Sequence, residues 1–253
     1  MQLAPAQLPQ QLKQALRSLY TLHGDEPLLL QEAADAIRAA ARAQGFSERS
    51  SYTVAGANFD WSEVLAAGGS MSLFSDKQIV ELRIPSGKPG KDGAPALEQL
   101  AAQSRDQDSS LTLVLLPRLD KAAKTSAWFA ALDQAGVTLG FEPIERGALP
   151  QWIAQRLALQ GQRVAVGEEG QRSLQFFADR VEGNLLAAHQ EIQKLALLFG
   201  SASAGDPGSG VLSLEQVRSA VFNVARYDVF KLSEAVLSGQ HQRVQRMLDG
   251  LQA

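Results

Sequence analysis

Along the first part of the chain, compact apolar runs alternate with segments whose apolar residues recur every three or four positions. Leu8, Leu12 and Leu16 share one helical face, and residues 18–22 then form a run suited to a buried strand. His23-Gly24-Asp25 ends that run. Asp25 is expected to cap a helix over 26–43, with Pro27 in the first turn, where its missing N–H costs nothing, and Gly45 as terminator. A strand at 51–54, a helix capped by Asp60 with Trp61, Val64 and Leu65 inward, and a strand at 77–84 follow. Residues 85–93, rich in Gly, Lys and Pro, read as a flexible insert before a helix at 94–103. Residues 111–116 form the most apolar strand, the pattern of a central parallel strand covered on both faces. A helix over 121–134 and a strand at 137–141 complete an alternation that predicts a parallel sheet with right-handed crossovers.

From Leu149 the pattern is helical: 150–160, 168–180, 184–198, 214–222, 227–237 and 240–251, with a strand remnant only at Arg163-Val164. Residues 201–210 are a loop by composition, and Ser213 with Gln216 forms a capping box. The fold class is therefore α/β followed by all-α.

One connection breaks the pattern. Residues 70–76 put Met71, Leu73 and Phe74 between a glycine pair and a strand, where a connection is normally polar. Either these side chains fold back into the core or they are held out for a partner.

Composition narrows the choices. With 253 residues, 45% hydrophobic and 20% charged, the chain has an ordinary globular make-up. The absence of Cys removes disulfides, and a net charge of -3 gives no general attraction to nucleic acid. Neither a leader peptide nor a membrane-spanning run is read, so a cytoplasmic protein without membrane association is expected.

An α/β domain followed by helices is a plan used by P-loop ATPases, yet the expected phosphate loop reads His23-Gly24-Asp25-Glu26-Pro27. It has no Lys, two carboxylates that repel phosphate, and a Pro that removes a donor. Gly87-Lys88 and Gly90-Lys91 follow the wrong strand and lack the Ser or Thr. The apolar strand runs into Pro117-Arg118-Leu119-Asp120 instead of a paired carboxylate. His23, His189 and His241 are scattered without metal-ligand spacing. Trp128-Phe129 and Phe176-Phe177 each lie in an amphipathic helix where one ring faces the core, and core packing is the reading for both pairs over a base-stacking platform. No catalytic residue, cofactor or metal is expected.

Leu22-His23-Gly24-Asp25-Glu26-Pro27-Leu28-Leu29-Leu30-Gln31-Glu32, Met71-Ser72-Leu73-Phe74, Ala127-Trp128-Phe129, Leu149-Pro150-Gln151-Trp152 and Glu182-Gly183-Asn184-Leu185-Leu186-Ala187 together resemble the delta subunit of the bacterial DNA polymerase III clamp loader. The resemblance runs from about residue 8 to about residue 240. It implies an AAA+-like domain at 1–145 that has lost its nucleotide site, a helical lid at 146–224, and the start of a truncated helical collar at 225–253. It further implies a subunit that binds the beta sliding clamp through Met71, Leu73 and Phe74 and opens the ring for loading onto primed DNA without hydrolysing ATP. Its other implied partners are the gamma/tau and delta prime subunits, with assembly in doubt if the collar is absent, and DNA only within the complex. The polymerase's nucleotidyltransferase activity is attached to such a subunit by association alone. The rival reading is an active P-loop-type ATPase with a degenerate phosphate loop, and a third is a direct DNA-binding module.

Overall fold

The computed structural model describes residues 1–56, 58–69, 77–106, 108–200, 209–222 and 229–252. The chain forms two compact units, Met1–Glu142 and Pro143–Ala253.

The first unit is built on six strands: β1 (Gln2–Leu3), β2 (Leu19–Gly24), β3 (Glu48–Thr53), β4 (Gln78–Arg83), β5 (Ser110–Leu116) and β6 (Val137–Phe141). They pair in the order β1-β6-β2-β5-β4-β3, and every pair is parallel. All seven residues of β5 are buried, as its unbroken apolar run predicts. Successive side chains of a strand point to opposite faces, so β5 serves two cores. Leu111, Leu113 and Leu115 pack with Tyr20, Leu22, Ala34 and Ile37 beside α1 (Leu8–Gln14) and α2 (Pro27–Ala43). Val114 and Leu116 pack with Trp61, Leu97, Trp128 and Phe129 from α3 (Trp61–Gly69), α4 (Gly90–Gln103) and α6 (Ala127–Ala135).

Several local expectations change. Strand β1, unread in the sequence, joins the sheet as Gln2 and Leu3 pair with Thr138 and Leu139. Helix α4 begins at Gly90, inside the segment read as a flexible insert. Its Gly93 lets α3 approach, because a Cβ there would lie 2.3 Å from Trp61 Cζ2. The helix read over 121–134 divides into α5 (Lys121–Lys124) and α6, because Ser126 Oγ accepts from Phe129 N–H at 3.4 Å and starts a new helix. Asp25 does not cap α2. The N-cap is Glu26, without a side-chain cap bond, and the Asp25 carboxylate lies 3.3 Å from Arg118 Nη1. Asp60 does hold its helix, accepting from Ser62 N–H at 2.9 Å.

One fully buried carboxylate interrupts the apolar sheet. Glu81, on β4, receives Arg38 of α2 at Oε2 through Nε (3.1 Å) and Nη2 (2.7 Å), and Arg83 at Oε1 through Nε (3.0 Å) and Nη2 (2.7 Å). Arg49 of β3 adds a contact at 3.1 Å. Burial pushes this carboxyl up, but the guanidinium hydrogen bonds and charges outweigh it and hold Glu81 below its ordinary value.

The second unit comprises α7 (Leu149–Leu159), α8 (Glu168–Val181), α9 (Leu185–Phe199), α10 (Leu214–Ala220), α11 (Val229–Leu237) and α12 (His241–Gln252), with a short parallel pair of β7 (Arg163–Val164) and β8 (Val211–Leu212). The capping box forms as read: Gln216 N–H donates to Ser213 Oγ and Ser213 N–H to Gln216 Oε1. Helix α12 is tied to α8 and the turn after it, through Arg243 to Glu182 (2.6 Å) and Arg246 to Asp179 (3.1 Å).

Replacing Glu81 by Gln leaves the buried Arg38 guanidinium with the exposed Asp35 as its remaining carboxylate partner, and a loss of about 3 kcal/mol is expected. Because the folded-state carboxyl sits below its unfolded value, its contribution is complete above about pH 5 and declines as pH falls through the folded value. Urea unfolding from about pH 7 down to pH 4 should therefore give a shallower acid slope in Glu81→Gln than in the parent.

Candidate protein-binding site

Residues 70–76, which include Met71, Leu73 and Phe74, lie outside the described residues. Their flanks are well defined. Helix α3 ends at Gly69, where the Gln78 side-chain amide donates to the Ala67 carbonyl. On the other side Lys77 Nζ donates to the Gln44 carbonyl at 3.2 Å and lies 5.3 Å from the Phe46 ring centroid. In a parallel sheet all strands start at one edge, so this connection enters β4 at the amino edge.

The turn tested for phosphate binding stands at the opposite, carboxyl edge, where open α/β sheets usually hold ligands. There Gly24 has φ +153°, and a Cβ on it would meet Phe141 O at 2.0 Å. Asp25 N–H donates to the same Phe141 oxygen at 3.2 Å, closing the turn against β6. Burial pushes the Glu26 carboxyl up, a backbone hydrogen bond from Leu28 draws it back, and the Asp25 charge adds to the rise. The turn thus carries an exposed carboxylate at Asp25 and a half-buried one at Glu26, and Pro27 heads α2 without an N–H.

The other residues read for chemistry have local roles. Asp120 caps α5, accepting from Ala123 N–H at 2.7 Å. Lys88 and Lys91 are exposed, and Lys91 lies in the first turn of α4 instead of on a loop. His23 is buried edge-on against Phe129 with centroids 5.7 Å apart, and burial, then the Lys124 charge, favours its neutral form. Among the described residues no cluster of three or more His, Cys, Asp or Glu forms a metal site. Trp128, Phe129 and Phe177 are core, as read. Phe176, the other ring of its pair, is half-buried, with the Arg180 and Arg218 guanidiniums 4.9 and 5.6 Å from its ring centroid.

Two arrangements went unread. A carboxylate inside an apolar strand, with Arg49 and Arg83 on paired strands, was the available signal for the Glu81 cluster. The other is a recess at the amino edge, lined by Leu16, Arg17, Ser18, Gln44, Phe46, Lys77, Arg105, Asp108 and Ser110. Its cations come from separate segments that only the sheet brings together, so no sequence motif announces it.

A six-stranded parallel α/β domain followed by helices is an AAA+-like plan. The sequence model of the family described as DNA polymerase III, delta subunit, matches residues 20–142. The DNA polymerase III subunit delta of Escherichia coli K12 is 33% identical over 249 residues, covering 98% of this chain and 68% of that protein. Its Haemophilus influenzae counterpart is 29% identical over 252 residues, with the same coverage of 98% and 68%. Among solved structures, the Bacillus subtilis DNA clamp loader delta protein superposes with a TM-score of 0.61 at 18% identity, covering 98% of this chain and 71% of that one. The chain belongs to the DNA polymerase III delta subunit family and is a clamp-loader component of DNA replication. Among the described residues no helix is long and apolar enough to cross a membrane.

Gly24→Ala would force a Cβ into the Phe141 carbonyl at a positive φ, so a loss of at least about 2 kcal/mol is expected. Thermal unfolding measures it, and an unchanged midpoint would show that the β2–α2 turn does not need glycine.

Proposed function

We propose that the chain binds the ring-shaped beta sliding clamp through Met71, Leu73 and Phe74 and favours an opened ring interface, so that the ring can be placed on primed DNA, without hydrolysing ATP itself. The observation that carries this reading is positional. Three large apolar side chains occupy a short connection whose ends are held at the amino edge of the sheet, away from the carboxylate-bearing turn at the other edge. Burying one Leu and one Phe against a partner contributes on the order of 3–6 kcal/mol, enough for a central hot spot. Ring opening is then a population shift, requiring tighter binding to the open clamp than to the closed one.

On this reading residues 1–145 carry the clamp-binding element, 146–224 form the lid, and 225–253 begin the collar that joins the gamma/tau and delta prime subunits. DNA is met within the assembled loader in the cytoplasm.

Leu73→Ala combined with Phe74→Ala should weaken binding to the sliding clamp by about a hundredfold or more, the equivalent of roughly 3 kcal/mol, with an unchanged circular dichroism spectrum. A double variant that unfolds, or that binds the clamp as the parent does, rejects the reading. Calorimetric ATP binding lost on changing Lys88 or Lys91 would favour the degenerate ATPase.

A further inference from the structure

Beside the proposed clamp anchor, the amino edge holds a polar recess of about 440 Å³. Its residues precede strands or lie at their starts: Arg17 and Ser18 before β2, Lys77 before β4, Arg105 before β5, and Ser110 as the first residue of β5. Arg17 and Arg105 are exposed and make no ion pair among the described residues. Among the described lining residues the cations are Arg17, Lys77 and Arg105, and Asp108 is the one carboxylate. Ser110 is only 5% exposed, and its Oγ has no hydrogen-bond partner among the described residues. A buried hydroxyl without a partner is costly to the fold.

Resting on the clamp reading above, we infer that this recess receives a carboxylate of the same protein partner, giving the apolar anchor a charged second contact. Reach supports the pairing. Lys77 stands three residues after Phe74, a span of at most about 10 Å. A partner that engages Phe74 therefore comes within reach of Lys77, which lines the recess. The donors also fit: guanidiniums present paired N–H groups matched to a carboxylate. A nucleic-acid backbone fits less well, because it needs a track of cations, whereas these converge on one recess with Asp108 among its walls.

The test measures clamp affinity of the full chain from about 50 to 500 mM salt, a range over which exposed charge contacts are progressively screened. Arg17→Glu with Arg105→Glu should bind about tenfold or more weakly at low salt and show a flatter salt dependence. The Lys pair at the same positions should recover much of the loss, and thermal midpoints should match the parent. If the Glu pair binds as the parent at every salt while Leu73→Ala/Phe74→Ala does not bind, the recess inference is overturned and the clamp reading stands. Clamp binding retained with lost affinity for primed DNA overturns it in favour of a phosphate site. If the anchor variant binds normally, both ideas fall. Should the Glu pair unfold, Arg17→Gln with Arg105→Gln is judged by the same slopes.

Discussion

The first unit depends on a charged cluster placed where the sheet would otherwise be oil. Glu81 joins α2 through Arg38, β3 through Arg49 and its own strand through Arg83. A one-residue slip of β4 would turn Glu81 to the other face, against Val114 and Trp61, away from Arg38 and Arg49, with only the guanidinium of its own strand, Arg83, turning with it. The cluster therefore sets register as well as contributing energy, and register decides where β4 begins. That start fixes Lys77 and the point at which residues 70–76 enter the sheet. A buried ion group on β4 thus helps to set where the connection enters the sheet.

Much of this architecture was legible because it rests on local periodicity. The apolar run of β5, the alternation with helices, and the caps at Asp60 and Ser213 all express short-range chemistry that survives packing. The misreadings share a different cause. Strand β1 is two residues long and finds its place only against β6, more than a hundred residues away. Helix α4 starts in a Gly- and Pro-rich stretch because Trp61 needs the space that Gly93 leaves open. Asp25 looked like a cap, yet it turned toward Arg118, a residue on a distant loop. Among candidate site residues, Met71, Leu73 and Phe74 stood out because apolar groups on a connection violate a local rule. Arg17 and Arg105 break no local rule and become a pair only through topology.

The two edges of the sheet differ in chemistry. At the carboxyl edge a tight glycine turn, a proline and two carboxylates leave little for phosphate to hold. At the amino edge, Arg17, Lys77 and Arg105 line a recess beside the start of β4. On the proposed reading, an AAA+-like fold carries its recognition chemistry at the amino edge, and the cores between the edges are indifferent to what each edge displays.

Strand β1 has a kinetic meaning as well. Pairing Gln2 with Thr138 closes a loop that spans nearly the whole first unit. During synthesis β1 must wait for β6, more than a hundred residues later in the chain, before it can pair. With only two residues in register, it should also be the first strand to open in hydrogen exchange, leaving the outer side of β6 as the briefly unprotected border of a partly folded chain.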